Sequence, residues 1–287
     1  MTKKISITAF LAAFILSVFY FADIDYHLWS FWQNKQTTKA EMKAAIWLPD
    51  YQADLIEHKI PGIDNNASGI TFNHDSNTLW VIVNEPALLV ELDLQFNLLR
   101  RIELKNFDDT EAVAYIGDDL YVIGDERTQT VILAKITDET RQLDKKTLKQ
   151  LKINIYGESN KGLEGIAVEP ASNTIYTVRE RNPLKLLKIS GFVDYQSMIN
   201  IEIPEQIEAN DLFLDDLSGL HFDSSSNHLL ILSDESKRLA EIDLQGHKVS
   251  YMELDGIPQA EGVTMDNKGN LYIVSEPDLI YRYIKKN

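Results

Sequence analysis

One short sequence pattern recurs five times along this chain, and it limits the possible folds more than any other feature. Each copy begins with glutamate or serine, continues with glycine or alanine, and then has mostly apolar residues. The copies are SGITF at Ser68, EAVAY at Glu111, EGIAV at Glu164, SGLHF at Ser218 and EGVTM at Glu261. Their starts lie 43 to 54 residues apart, and a period of this length indicates a repeat architecture.

Each copy contains two further apolar runs, and the first of these always ends at a glutamate. These glutamates are Glu85, Glu126, Glu180, Glu235 and Glu276. Short runs rich in valine, isoleucine, leucine and tyrosine, separated by Asn, Asp, Gly and Ser, are typical of β-strands and turns. Each copy therefore predicts an antiparallel sheet of three to four strands, with inserted loops at Asp138–Gln150 and Ser190–Leu214. Five such sheets around one axis form an all-β, five-bladed β-propeller.

The predicted ring needs a closing strand. The fifth copy has three strands before Asn287, whereas Tyr51–Ile60 is a strand without a repeat of its own. We expect this strand to be the outer strand of the fifth blade, because it would tie the chain ends together and cover a sheet edge. The predicted organisation is a membrane segment at 1–22, a partly helical tether at 23–50 and a propeller at 51–287.

The N-terminus predicts a single transmembrane helix. Lys3 and Lys4 precede residues 5–22, an uncharged apolar run of nearly the length that spans a bilayer. The positive-inside rule keeps the lysines in the cytoplasm and sends the rest of the chain across. A cleaved signal peptide is the alternative, although its apolar core is usually about 7–15 residues long and ends at small residues. The prediction is a single-pass protein of the bacterial inner membrane with its propeller in the periplasm.

Composition removes several classes of function. The formal net charge is −16, so a nucleic-acid partner, which requires a concentrated basic surface, is not expected. The chain has no cysteine, which excludes thiolate metal sites and cysteine nucleophiles. Neither a Gly-x-Ser-x-Gly motif nor a phosphate-binding glycine loop occurs. The sequence therefore leaves open whether the protein is an enzyme, and favours that it is not.

The first residues of the five copies should meet at one mouth of the propeller tunnel. Glu111, Glu164 and Glu261 would share this ring with Ser68 and Ser218. Carboxylates this close repel one another unless a cation or protons compensate them, and calcium accepts such mixed oxygen ligands. Alternatively, these residues accept hydrogen bonds from neighbouring blades and only hold the ring together. The glycine that follows them is interpreted as close packing near the axis.

The second set of glutamates is present in every copy and is interpreted mainly as a folding device, because catalysis requires asymmetry. Glu126 and Glu180 lie beside the arginines of DER and RER, and we add these two to the candidate metal ligands. The adjacent Asp215 and Asp216 should point to opposite faces. They predict a polar turn rather than an acid–base pair.

Several stretches of the chain resemble one known family. They are EAVAYIGDDLYVIGDER at 111–127, GLEGIAV at 162–168, RERNPLKLLKI at 179–189, DDLSG at 215–219, LSDES at 232–236 and QAEGVTMDNKGNLYIVSEP at 259–277. In these stretches the chain resembles the SdiA-regulated, YjiK-like proteins of bacterial envelopes, distant relatives of NHL-repeat propellers. The resemblance implies a five-bladed propeller behind a hydrophobic N-terminal segment, with a calcium ion bound in the propeller. It implies no particular reaction.

Two functions remain as hypotheses. The favoured one is a calcium-stabilised binding module that uses one propeller mouth for a small ligand or an envelope protein. The alternative is a calcium-dependent hydrolase of lactonase or phosphoesterase type, which requires an accessible ion that can activate water.

Overall fold

The computed structural model describes residue 10 and residues 23–153, 163–179, 185–194, 198–204 and 212–286. The chain divides into two compact units, Met1–Ala44 and Ala45–Asn287. The first unit contains helices α1 (Ile24–Gln36) and α2 (Lys39–Ala44). A capping box begins α2: Thr38 N–H donates to Glu41 Oε2 at 2.7 Å, and Glu41 N–H donates to Thr38 Oγ1 at 3.3 Å.

No helix within the described ranges is long and apolar enough to cross a membrane. The predicted membrane segment at residues 5–22 lies outside those ranges, apart from residue 10. The transmembrane helix therefore stays a prediction.

Five sheets, each built around an antiparallel meander, confirm the five-bladed propeller. The innermost strands are β2 (Ala67–Asn73), β6 (Thr110–Gly117), β11 (Leu163–Glu169), β15 (Gly219–Asp223) and β19 (Gln259–Met265). The second strands are β3 (Thr78–Val83), β7 (Leu120–Asp125), β12 (Thr174–Arg179), β16 (His228–Ser233) and β20 (Leu271–Glu276). The third strands are β4 (Leu88–Leu92), β8 (Thr130–Lys135), β13 (Lys185–Ser190), β17 (Arg238–Asp243) and β21 (Leu279–Lys285).

The inserted loop and the N-terminal strand both contribute strands to the outer edges of the blades. They are β5 (Leu98–Lys105), β10 (Lys149–Lys152), β14 (Asn200–Glu202), β18 (Lys248–Glu253) and β1 (Tyr51–Lys59) for blades one to five. The insertion at 138–150 contributes β9 (Gln142–Asp144), which pairs in parallel with β5, before the chain continues into β10. Blade one thus gains a fifth strand.

Ring closure follows the predicted route. Strand β1 pairs antiparallel with β21, from Tyr51 opposite Lys285 to Lys59 opposite Leu279. The fourth strand of blade five therefore comes from the other end of the propeller, and β21 has no free edge. The compact unit that contains the propeller begins at Ala45 and therefore also includes residues 45–50, which precede β1.

A buried carboxylate holds the segment that precedes β1. Glu241 on β17 is fully buried, and its oxygens accept the backbone N–H groups of Ile46 at 2.7 Å and Trp47 at 2.9 Å. The same carboxylate accepts the Ser250 hydroxyl at 2.5 Å and lies 2.7 Å from His228 Nδ1. These donors replace the water that a buried carboxylate loses, so the entry segment is an integral part of blade four.

The hydrophobic core lies between neighbouring blades. Along β3, Leu79 and Val81 pack with residues of blade five, whereas Trp80 and Ile82 pack with blade two. Alternate side chains of a strand point to opposite faces, and both faces of a blade are covered. This explains why the second run of each repeat is mostly apolar.

The glycine of the repeated pattern allows the inner strands to approach one another. A Cβ atom at Gly262 would lie 2.8 Å from the Cα atom of Gly69 in the neighbouring blade. The interpretation of this glycine as close packing near the axis is confirmed.

Candidate metal centre

In four of the five blades, the first residue of the repeated pattern lies at a β-bulge at the start of the inner strand. In β6 the pairing moves from Thr110–Asp125 to Ala112–Gly124, which leaves Glu111 without an opposite residue. The same register shift occurs at Ser68, Glu164 and Glu261. A bulge redirects the side chain of its extra residue, and here it accompanies side chains that gather at one mouth of the tunnel.

This acidic mouth is a cavity of about 380 Å³. Its described lining consists of Glu111, Glu126, Glu164, Asp216, Ser218, Asp234, Glu235, Gln259, Glu261 and Glu276. No lysine, arginine or histidine is among these lining residues. Four of the five candidate metal ligands, namely Glu111, Glu126, Glu164 and Glu261, thus come together in one cavity. The fifth, Glu180, lies outside the described residues.

Three carboxylates of blade two form the tightest group. One oxygen each from Asp109, Glu111 and Glu126 lies within 4.8 Å of the others, and Asp109 and Glu126 are buried. The side-chain amide of Asn84 donates to Asp109 Oδ1 at 2.5 Å and to Glu111 Oε1 at 2.8 Å. Arg127, whose side chain is 60% exposed, lies 3.1 Å from Asp109 Oδ2. The group can therefore offer a cation several oxygen ligands at once.

A buried aspartate fixes the two segments that carry Asp109 and Glu126. Asp125 Oδ2 accepts the N–H of Asp108 at 2.9 Å and the ammonium group of Lys145 at 2.9 Å. The N–H of Glu126 in turn donates to the carbonyl of Asp109 at 2.7 Å. Asp109 and Glu126 thus directly follow Asp108 and Asp125, the two residues that this network holds in place. Lys145 comes from the insertion at 138–150.

Burial changes the protonation of the mouth. The pKa of Glu111 is raised to about 9, mainly by burial and also by the charges of Asp109 and Glu126, although a hydrogen bond with Ser68 opposes the rise. Burial likewise raises the pKa of Glu261 to about 8, helped by Glu276 and neighbouring aspartates. Without a cation, both carboxyls hold protons near neutral pH.

The two serines of the repeated position join neighbouring blades. Ser218 Oγ donates to the carbonyl of Ala260 at 2.8 Å. Ser68 Oγ donates to the carbonyl of Asn66 at 3.1 Å and also contacts the Glu111 carboxyl of the next blade. The serines thus join neighbouring blades, but the Ser218 hydroxyl donates its hydrogen bond, whereas the sequence predicted that residues of this position accept one. Ser218 also lines the cavity together with Glu111, Glu164 and Glu261.

The second set of glutamates does not share one environment. Glu126 is buried in the carboxylate group, and Glu235 and Glu276 line the cavity. Glu85 is exposed and is absent from the lining, and Glu180 lies beyond the described ranges. The four described members of this set therefore differ in environment, and their folding role stays a prediction.

The adjacent aspartates diverge as the sequence predicted. Asp216 is buried and accepts the Ser233 hydroxyl and the N–H of Glu235, the latter at 3.1 Å. Asp215 is exposed and contacts Ser236. The pair does not act on one site.

The sequence analysis did not assign to the acidic mouth the residues that precede the repeated position by two. They are Asp109, Asp216 and Gln259, which precede Glu111, Ser218 and Glu261. A search for one repeated residue type could not find them, because the residue type changes from blade to blade.

Comparisons with known proteins agree with this architecture. A family model described as SdiA-regulated matches residues 43–284. A luciferin-regenerating enzyme has a similar structure (TM-score 0.52, 11% identity, 79% of this chain and 94% of that chain). The calcium-binding protein regucalcin from Agrobacterium tumefaciens also has a similar structure (TM-score 0.52, 14% identity, 79% of this chain and 92% of that chain). A third similar structure is a chain of a nidogen–laminin complex (TM-score 0.51, 16% identity, 72% of this chain and 71% of that chain). At these identities the similarity concerns the fold alone.

Proposed function

The chain belongs to the SdiA-regulated family, and from that premise we propose that it is a calcium-binding propeller whose acidic mouth serves as a binding module. The observation that carries this proposal is the mutual approach of the Asp109, Glu111 and Glu126 oxygens within 4.8 Å. Oxygens that bind one calcium ion at about 2.3–2.6 Å lie no more than about 5 Å apart. This carboxylate group satisfies that limit.

The chemistry of the mouth favours calcium over other metals. The described lining offers carboxylate, hydroxyl and amide oxygens, with no histidine or cysteine. Zinc and copper select nitrogen or sulfur ligands, whereas calcium takes six to eight oxygens in flexible geometry. A cation would also supply the charge compensation that Glu111 otherwise obtains from a proton. Regucalcin, one of the propellers of similar fold, is itself described as a calcium-binding protein.

The binding role follows from the asymmetry of the mouth. The carboxylate group Asp109, Glu111 and Glu126 belongs to blade two, whereas Gln259 and Glu261 belong to blade five. A ligand or an envelope protein entering the mouth would meet the ion and these polar side chains together. Such a combination of a few polar groups in a concave site is typical of specific binding.

A calcium titration followed by thermal melting tests the proposal. Calcium at about 100 times its dissociation constant should stabilise the chelator-treated protein by about 2.7 kcal/mol. Glu126→Gln should greatly reduce this effect, whereas Glu85→Gln is the matched control, because Glu85 has the same repeat position but is exposed. An unchanged melting temperature with calcium, or equal behaviour of the two variants, would contradict the proposal.

The hydrolase alternative has one observation in its favour. Burial raises the pKa of Glu261 to about 8, so this carboxyl holds a proton near neutral pH and suits general acid–base chemistry. Under this alternative, the protein hydrolyses a lactone or a phosphodiester only with calcium, and Glu261→Gln abolishes the reaction. Hydrolysis at the buffer rate, together with calcium binding, supports the binding module instead.

We also propose that residues 5–22 anchor the protein in the inner membrane, with the propeller in the periplasm. The supporting features are the apolar run and the preceding Lys3 and Lys4. The full chain should fractionate with inner membranes and become sensitive to protease in spheroplasts. A chain that starts at residue 23 should lose membrane association. Protection of the full chain in spheroplasts would contradict this topology.

A further inference from the structure

A second cavity lies at the end of the tunnel opposite the acidic mouth, and one ring of side chains in it breaks the fivefold repetition. The ring consists of the fourth residue of each repeated pattern: Thr71, Ala114, Ala167, His221 and Thr264. All five line a cavity of about 310 Å³. Four of them are small, so only His221 brings a ring system with hydrogen-bonding nitrogens to this level.

The two threonines of the ring have structural tasks. Thr71 Oγ1 accepts the N–H of Tyr115 at 3.0 Å, and Thr264 Oγ1 accepts the N–H of Phe72 at 3.0 Å. Each of these bonds joins a blade to its neighbour. No comparable bond to the His221 ring occurs among the described residues, so its nitrogens can serve a ligand.

The protonation state of His221 makes its ring a hydrogen-bond acceptor. Burial lowers the pKa of His221 to about 4, although the nearby Asp223 opposes this shift. The imidazole is therefore neutral at physiological pH, and one of its nitrogens carries a free lone pair.

Two buried carboxylates give the cavity a negative field. Asp223 is 8% exposed and Asp266 is 6% exposed, and both line the cavity. Burial opposes ionisation of Asp223, but hydrogen bonds from Ser226 and Ser225 hold its pKa below the usual value. Asp266 accepts the phenol of Tyr272 at 3.0 Å.

The described lining of this cavity contains no lysine or arginine, and its only histidines are His221 and His74. Both aspartates are held by hydrogen bonds of the adjoining turns: Asp223 accepts three from two serines, and Asp266 accepts four, two of them from backbone N–H groups. These hydrogen bonds stabilise the ionised carboxylates but do not neutralise their charge, so the cavity keeps a negative field that favours a cation.

We propose that this cavity binds a small organic cation, whose ammonium group donates to the His221 imidazole and is attracted by Asp223 and Asp266. The apolar part of the ligand would pack against the inner-strand side chains around the tunnel. Inorganic metal ions fit less well, because no group of three metal-ligating side chains occurs here in the described part of the chain. The inference does not depend on the function proposed for the acidic mouth.

Three four-carbon probes separate charge from size: n-butylammonium, 1-butanol and butyrate. Each is titrated into full-length protein labelled with ¹⁵N-histidine, in saturating calcium so that the acidic mouth is occupied. The His221 resonances are identified by their loss in His221→Ala. We expect n-butylammonium to shift them in a saturable way, 1-butanol to bind at least about tenfold more weakly, and butyrate to have no effect.

His221→Ala should weaken n-butylammonium binding about tenfold or more, measured by calorimetry. His247→Ala is the matched control, because His247 is a histidine of the same blade that lies outside the cavity and has a side chain that is 78% exposed. If His221→Ala fails to fold, Ala167→Leu fills the same ring from another blade and should abolish binding. The proposal is overturned if n-butylammonium does not shift His221, if butyrate or 1-butanol binds equally well, or if the folded cavity variants retain full affinity.

Discussion

Lys145 Nζ lies 2.9 Å from Asp125 Oδ2, and both side chains are buried. The lysine comes from an insertion between the third and outer strands of blade two, whereas the aspartate ends the second strand of that blade. Asp125 directly precedes Glu126, and it also binds the N–H of Asp108, the neighbour of Asp109. An insertion that interrupts the repeat thus stabilises the segments that carry two candidate calcium ligands.

Lys145→Met should destabilise the propeller by about 3–5 kcal/mol, because it leaves the Asp125 carboxylate buried and unpaired. Urea unfolding of the calcium-free protein measures this loss. The same variant should bind calcium more weakly, because Asp109 and Glu126 lose a fixed support.

Lys146→Met is the matched control, since Lys146 is the exposed neighbour of Lys145 and its replacement should change stability by less than about 0.5 kcal/mol. Adding Asp125→Asn to Lys145→Met should restore part of the stability by removing the unpaired charge. Equal stability of the two lysine variants would contradict the role assigned to this pair.

The stability of the calcium-free protein should fall as pH rises from about 5 to about 9. Burial raises the pKa values of Glu111 and Glu261 to about 9 and about 8, whereas an unfolded glutamate titrates near 4.3. Between these values the folded state holds more protons than the unfolded state, so rising pH favours unfolding. Urea unfolding at several pH values with a chelator measures the slope.

Calcium should displace the same protons. Its affinity should therefore increase with pH over this range, and calorimetry in buffers of different ionisation enthalpy should detect proton release. Glu111→Gln should release fewer protons than the unmodified chain. Binding without proton release at about pH 7 would be incompatible with a Glu111 ligand.

Glu241→Ala should loosen the segment before β1. The buried N–H groups of Ile46 and Trp47 would lose their acceptor, and each unsatisfied group costs about 1–3 kcal/mol. Urea unfolding measures the loss, and amide hydrogen exchange of these two residues should accelerate. Glu253→Ala, an exposed change in the same blade, should affect neither quantity; slow exchange in Glu241→Ala would contradict this anchoring role.

The ring closure predicts different outcomes for two truncations. A chain that starts at Ala45 keeps β1 and should melt cooperatively as a monomer. A chain that starts at residue 61 lacks β1 and exposes the edge of β21, so it should lose cooperative melting or self-associate. Size-exclusion chromatography and thermal melting distinguish these results. A stable monomer from the shorter chain would show that the clasp is dispensable.

The sequence carried most of the fold because repetition signals it several times. Every blade repeats the same short pattern before its inner strand and a mostly apolar second strand, so one misread copy would not change the architecture. Even the pairing of β1 with β21 could be inferred, because the last repeat was one strand short. The role of residues 45–50 was not predictable, since it depends on Glu241, nearly 200 residues away in the chain.

The site was less predictable than the fold, because repetition shows only what the blades have in common. Repetition identified Glu111, Glu164 and Glu261, but the carboxylate group forms where blades differ. The position of Asp109 is occupied by an asparagine in blade one and by a glycine in blade three. Lys145 belongs to an insertion that has no counterpart in the other blades. Their contacts with the glutamates arise only when the chain folds back in three dimensions.

A crystal structure of the protein with bound calcium would locate the ion by its anomalous diffraction. We expect one ion at about 2.3–2.6 Å from oxygens of at least two of Asp109, Glu111 and Glu126. The absence of an ion from this carboxylate group at saturating calcium, or an ion bound elsewhere in the mouth, would contradict it.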